Sequence, residues 1–173
     1  PRALILEPTR ELASQVETAF RDFSRYSKLR TTVLYGGVKY GKQTDALQTG
    51  TDIIVATPGR LIDHLSQRNT TLKHLEYLVL DEADRMLDMG FMPDVKKIIQ
   101  KCPDKRHTSL FSATIPPIIE TLIQWAMKDP ETVEIGMRRS VAETISHAVY
   151  PVAFDQKDEL VLELLGEVDF DSV

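Results

Sequence analysis

The chain has 173 residues, 42% hydrophobic and 27% charged, which is enough for one compact domain with a substantial core. A net charge of −5 excludes a broad basic face as the means of gripping nucleic acid and leaves a few placed cations and helix N-termini for that task, with modest, salt-sensitive affinity. No apolar run approaches a membrane span and no basic-then-apolar leader opens the chain. The one cysteine, Cys102, rules out an internal disulfide and fits a reducing compartment, so no membrane partner and an intracellular location, the cytoplasm ahead of the nucleus, are expected.

Short apolar runs alternate with helix-length amphipathic stretches. The runs are 3–6, 32–35, 53–56, 77–80 and 108–111, with a weaker one at 132–135, and they are apolar throughout, as parallel strands buried on both faces are. The chain begins at Pro1, almost flush against the first run, which predicts further sequence upstream. Residues 10–27 predict a helix with Leu12, Val16, Ala19, Phe20 and Phe23 on its inner face and Thr9 as N-cap. Further helices are predicted over 41–49, stopped by Gly50, over 91–101 with Val95, Ile98 and Ile99 inward, and after Pro116-Pro117 with Ile118, Ile119, Leu122, Ile123 and Ala126 as the stripe. Trp125 and the methionines are expected in cores, and Cys102 half-buried at a helix end. Strand–helix alternation of this kind predicts an α/β fold, an open and mainly parallel sheet flanked by helices. From Gly136 the texture turns polar. Residues 1–135 are therefore read as one domain, 136–146 as a linker, and 147–173 as the start of a second domain, with a strand over 147–154 and a helix over 157–165.

Ligands of such sheets bind beyond the carboxyl ends of the strands. Each of the first five runs ends there in a polar or glycine-containing cluster: Glu7-Pro8-Thr9-Arg10, Gly36-Gly37, Thr57-Pro58-Gly59-Arg60, Asp81-Glu82-Ala83-Asp84 and Ser112-Ala113-Thr114. One cluster would be a turn; five on one edge make a functional rim. A strand-end Asp81 suits a hydrated Mg2+, which needs one or two protein carboxylates beside substrate phosphates, and Glu82 suits activation of a water. The competing reading is a solvated turn that caps the next helix. Thr9-Arg10 and Thr57–Arg60 lie where strands turn into helices, and free N–H groups with an added guanidinium bind phosphate there; a structural cap with an exposed arginine is the alternative. Residues 36–43, Gly36-Gly37-Val38-Lys39-Tyr40-Gly41-Lys42-Gln43, nearly match the phosphate loop G-x-x-x-x-G-K-[ST], but Gln43 offers no hydroxyl to a metal. His64, His74, His107 and His147 show no metal-ligand spacing and are expected as surface residues with satisfied nitrogens.

Taken in order, Pro8–Ala13, Gly36-Gly37, Thr57–Arg60, Asp81–Asp84 and Ser112–Thr114 resemble motifs Ia, GG, Ib, II and III of DEAD-box RNA helicases, over residues 1 to about 165. The resemblance implies a RecA-like domain of the P-loop NTPase type, an RNA-stimulated ATPase with ATP and Mg2+ as cofactors, and RNA bound through its sugar-phosphate backbone. It implies that Asp81 reaches Mg2+ through water, that Glu82 activates the hydrolytic water, and that Asp84 joins Ser112 and Thr114 to couple ATP state to domain closure. Thr9, Arg10, Gly37, Thr57, Gly59 and Arg60 would line the RNA path, and Gly36-Gly37 would belong to that path rather than to a phosphate loop. The family's Q motif, true phosphate loop and arginine finger have no counterpart in the 173 residues, so the chain by itself is expected not to hydrolyse ATP. A non-catalytic RNA-backbone module is the second reading. A metal-dependent nuclease ranks below both, since no second carboxylate cluster is present for a second metal.

Overall fold

The computed structural model describes residues 1–135 and 148–167. The linker expected over 136–146, together with His147 and 168–173, lies outside the described residues. The chain divides into two compact units at Glu131/Thr132, and each is described by itself.

The first unit alternates strand and helix: β1 (Ala3–Leu6), α1 (Arg10–Phe23), β2 (Thr31–Leu34), α2 (Tyr40–Thr49), β3 (Ile53–Ala56), α3 (Pro58–Ser66), β4 (Tyr77–Leu80), α4 (Ala83–Asp88), α5 (Met92–Ile99), β5 (His107–Leu110) and α6 (Pro117–Ala126). The strands form one sheet in the order β2-β3-β1-β4-β5, every pair parallel. β1 is central, with Leu6 level with Ala56 on one side and Leu80 on the other. The α/β fold with a parallel sheet is therefore the one expected.

Alternation along the strands sorts the core into two layers. Leu4, Leu6, Leu34, Ile54, Leu78 and Leu80 face one way and are buried under Leu61 of α3, Met86 of α4, Met92, Val95 and Ile98 of α5, and Ile119 and Leu122 of α6. Ile5, Ile53 and Val55 face the other way, against Ala13, Val16 and Phe20 of α1. α1 packs on β2 and β3, so this second face is thinly covered toward β5, where the stacked rings of Tyr77 and His107 lie exposed.

Several sequence expectations are corrected. α1 ends at Phe23, and that side chain is 88% exposed, because the chain leaves the sheet there; Ala19 is also exposed, and Ala13, Val16 and Phe20 carry the contact. Trp125 and Ile118 lie on the outer side of α6, while Ile119, Leu122 and Ala126 face the core. Met89, beyond the end of α4, is exposed, whereas Met86 and Met92 are buried as expected. Residues 132–135 form no strand, and neither do 148–153. The second unit has a 3₁₀ turn (Phe154–Gln156) leading into α7 (Lys157–Glu167), the helix expected there. Cys102 is half-buried just after α5, its thiol donating to the Ile98 carbonyl, and burial pushes its pKa up to about 11.

Leu80→Ala opens a cavity between β4 and the helices and is expected to lower stability by about 2–5 kcal/mol, whereas Phe23→Ala changes it by less than about 0.5 kcal/mol; urea denaturation of both variants checks the difference.

Candidate nucleotide and nucleic-acid site

Because every strand is parallel, all five carboxyl ends reach one edge. Read across the sheet from β2 to β5, that edge presents Gly36-Gly37, Thr57–Arg60, Glu7–Arg10, Asp81–Asp84 and Ser112–Thr114. The glycine and arginine clusters thus fall on one side, around β2, β3 and the end of β1. The carboxylates fall on the other, around β1 and β4, with the hydroxyls after β5.

On the acidic side, Asp81 extends the ladder by one step, its N–H donating to the Leu6 carbonyl at 3.1 Å. Glu82 then adopts the left-handed conformation, φ 49° and ψ 50°. A residue with a Cβ pays roughly 1 kcal/mol or more for that conformation, and such strain persists where the surroundings fix it. Asp81 Oδ1 accepts the Glu82 N–H at 2.9 Å, and the Ala83 N–H donates to the Phe111 carbonyl at 3.0 Å. Ala83 is fully buried there, so a small side chain is required. The turn leaves the Glu82 carboxyl exposed and Asp81 half-exposed, with Asp81 Oδ2 free of hydrogen bonds to described residues.

Asp84 is tied to the segment after β5. Its N–H donates to Ser112 Oγ at 3.1 Å, and Ser112 Oγ donates to the Thr114 carbonyl at 2.7 Å. Asp84 Oδ2 accepts both the hydroxyl and the N–H of Thr114 at 2.8 Å, and Oδ1 accepts the Arg85 N–H at 3.0 Å. Burial alone would raise this carboxyl, but the bonds from Thr114 and Arg85 outweigh it and hold the pKa below the usual range. Asp84, Ser112 and Thr114 therefore form one closed network joining two strand ends.

On the other side, Thr9 caps α1, its Oγ1 accepting the Leu12 N–H at 3.3 Å. Arg10 leans across to β2, where Gly37 has φ +81° and a Cβ would collide with Arg10 Nη1. The positive φ is what calls for glycine at 37; the arginine tip could swing away from a Cβ. Arg60, in the first turn of α3, lies over the Tyr40 ring at 5.3 Å from the centroid, with Nη1 at 3.5 Å from the Val38 carbonyl. The loop between β2 and α2 is flanked by two guanidinium groups. Thr57 is buried at the start of α3, and Gly59 faces open space, so a side chain there would obstruct the surface rather than the fold. The near-match to a phosphate loop over 36–43 departs at its last residue. Gln43, in place of a hydroxyl residue, is buried with Nε2 donating to the Tyr35 carbonyl, so no metal-binding hydroxyl stands at the last position of the pattern.

One histidine departs from the surface reading. His64 is fully buried, stacked on Tyr40 at 4.2 Å, and burial aided by Arg60 lowers its pKa. No group of three His, Cys, Asp or Glu side chains among the described residues converges to hold a metal ion. That donor set does not suit an all-protein cage. It fits hydrated Mg2+, which keeps its waters and takes one or two carboxylates plus phosphate oxygens, and Asp81 with its open oxygen is the residue that would hold it.

The family model for DEAD/DEAH box helicases matches residues 1–122. The chain belongs to that family. It is 45% identical to the ATP-dependent RNA helicase DBP2 of Eremothecium gossypii and 43% identical to the ATP-dependent RNA helicase DeaD of Escherichia coli, over 99% of its own length in each case. It spans 31% and 28% of those proteins, less than a third of either. Among solved structures, it is similar to a DEAD box protein from Methanococcus jannaschii, with a TM-score of 0.71, 42% identity, and coverage of 74% of this chain and 35% of that one. It is also similar to the yeast DEAD-box splicing factor Prp28, with a TM-score of 0.71, 38% identity, and coverage of 79% and 34%.

One site residue of this DEAD-box chain was not singled out by the motifs. Glu7 follows Leu6 at the end of the central strand and is fully buried, with neither carboxyl oxygen hydrogen-bonded to a described residue. Register sets it beside Asp81, since Leu6 pairs with Leu80 and the Asp81 N–H bonds the Leu6 carbonyl. Burial raises its pKa to about 7, with further upward pushes from Asp81 and Glu82. The only available signal was a carboxylate ending an apolar strand, and what it lies beside depends on strand order. A carboxyl raised on folding destabilises the folded state as pH climbs from its unfolded pKa to its folded one. In metal-free buffer, Glu7→Gln is therefore expected to gain about 2–4 kcal/mol relative to the parent between pH 4.5 and 7, and the gap is constant above; denaturant titrations across that range measure it.

Proposed function

We propose that this chain is part of an ATP-dependent RNA helicase that couples ATP binding and hydrolysis to local RNA duplex unwinding or remodelling of RNA–protein particles. The single observation that carries the reading is the division of one sheet edge into a carboxylate half and a glycine–arginine half that meet at the end of β1. Phosphoryl transfer needs the first, and a phosphodiester backbone suits the second. In this reading Asp81 holds Mg2+ through water, and the ion when bound neutralises charge on the transferring phosphate oxygens. Glu82, fixed by its left-handed backbone, orients and deprotonates the attacking water. Asp84 with Ser112 and Thr114 conveys nucleotide state to domain closure, the closed network being rigid enough to transmit a small shift.

Thr9, Arg10, Gly37, Thr57, Gly59 and Arg60 carry the RNA backbone. The layout that fits is a RecA-like domain over 1–135, a linker over 136–146 and the beginning of a second domain over 147–173. The phosphate loop and the arginine finger are assigned to other parts of the parent protein. An intracellular, cytoplasmic setting suits this reading, and no helix among the described residues is long and apolar enough to cross a membrane.

In the full-length protein, Glu82→Gln is expected to lower RNA-stimulated ATP turnover about 100-fold or more while ATP binding is kept. The 173-residue chain alone stays at background. Turnover by the isolated chain, or unchanged turnover in the variant, contradicts these roles.

The second reading is a non-catalytic RNA-backbone module that uses only the glycine–arginine half of the edge. The two readings share the RNA prediction and differ only in the ATPase assay. Arg10→Ala and Arg60→Ala should each weaken single-stranded RNA equally for all base sequences, and each should reduce the salt slope by about 0.7, because phosphate contacts carry no base information. Fluorescence anisotropy with two unrelated oligonucleotides at several salt concentrations checks both points.

A further inference from the structure

Arg60 does not stand free in solvent. It is half-buried, its guanidinium over the Tyr40 ring and beside the Val38 carbonyl. Tyr40 opens α2 and is held in turn by α3 and the turn after it. His64, one helical turn beyond Arg60, stacks on the Tyr40 ring with an interplanar angle of 11°. Asn69 Nδ2 donates to Tyr40 Oη at 3.1 Å and also meets His64 Nδ1 at 3.3 Å. The other ring nitrogen, Nε2, is buried and hydrogen-bonded to no described residue, so Asn69 is the only hydrogen-bond partner of the imidazole among them. Asn69 is fixed by its own backbone. Arg68 takes the left-handed conformation at φ 59°, and the Asn69 N–H returns to the His64 carbonyl at 2.9 Å.

Three side chains from two helices and a turn, Tyr40, His64 and Asn69, thus stand behind one arginine at the carboxyl edge. A free arginine side chain loses up to about 2 kcal/mol of rotamer entropy when it is fixed on a ligand. A guanidinium already laid on a ring has lost much of that freedom before the ligand arrives, which raises affinity without a new contact.

We propose that Tyr40, locked by His64 and Asn69, is a positioning residue that pre-sets the Arg60 guanidinium for an RNA phosphate and keeps Arg60 in register with the Gly36–Lys39 loop. The proposal rests on the RNA-backbone role given to Arg60 above. Tyr40 itself touches Arg60 and not the RNA, so its effect must pass through Arg60.

The test is a double-mutant cycle on the 173-residue chain, read as the Kd for a fluorescein-labelled oligouridine at fixed salt. Arg60→Ala is expected to weaken binding about 10-fold, as the loss of a charge-assisted bond does. Tyr40→Leu should weaken it about 2- to 5-fold, the range of a surface cation–π contact. In the Arg60→Ala background Tyr40→Leu should add nothing, whereas with Arg10→Ala the two effects should multiply. Tyr40→Phe, which keeps the ring and the His64 stack but loses the Asn69 bond, should fall between the parent and Tyr40→Leu.

Multiplying effects of Tyr40→Leu and Arg60→Ala overturn the positioning role while leaving the RNA track intact. An Arg60→Ala variant that binds like the parent overturns the track reading and this proposal together. A second readout needs no variant. In the free parent chain the Arg60 side-chain protons should be shifted upfield by the Tyr40 ring current, and random-coil shifts there overturn the proposal even if Tyr40→Leu fails to fold.

Discussion

The parallel pairing of β1 with both β3 and β4 is the constraint on which the rest depends. Parallel strands need crossovers, and the crossovers bring every strand back to run the same way. Five carboxyl ends therefore open on one edge, and each ends in a residue that the ladder no longer needs for its own core. The pairing holds because β1 and β3 are buried almost throughout, with Leu4, Leu6, Ile54, Val55 and Ala56 fully inaccessible. The proposed site occupies the position one step beyond, where Glu7, Thr57 and Asp81 continue strands whose register is already fixed by apolar packing.

That position sets stability against chemistry. Glu7 is carried into the interior by the same register that buries Leu6, and no partner compensates it among the described residues. Glu82 holds a left-handed backbone conformation that glycine would adopt without strain. Both are local conflicts in an otherwise consistent sequence, and both fall at the acidic half of the edge. A fold optimised for stability alone would have an apolar residue at 7 and glycine at 82.

The sequence made the strands and the rim legible because both are local. Ile53–Ala56 is apolar at every position, Thr9 precedes an amphipathic stretch, and Asp81-Glu82 follows an apolar run. What it concealed was lateral. The amphipathic stretch after Thr9 continues past Phe23, yet the helix stops there, since the sheet beneath it ends and no packing rewards a further turn. Trp125 looked like core because it is large and apolar, but the facing layer is already filled by Ile119, Leu122 and Ala126. His64 looked like a surface residue because nothing nearby in sequence reveals Tyr40 against it. The proximity of Glu7 to Asp81, like that of Arg10 to Gly37, comes from the strand order β2-β3-β1-β4-β5, which no periodicity encodes.

The same strand order makes β1 the bridge between the two halves of the edge. Within four residues its carboxyl end sets Glu7 against the Asp81 side and Arg10 against the Gly37 side. Thr9, between them, caps α1 and so fixes the direction in which Arg10 leaves. β4 is hydrogen-bonded to β1 along its whole length, so one strand and one capped turn separate the carboxylates from Arg10. On the far side of that turn Arg60 lies over the Tyr40 ring, which His64 and Asn69 hold in turn, so the two guanidinium groups are placed by different elements, one by β1 and its cap and the other by the packing of α3 on α2.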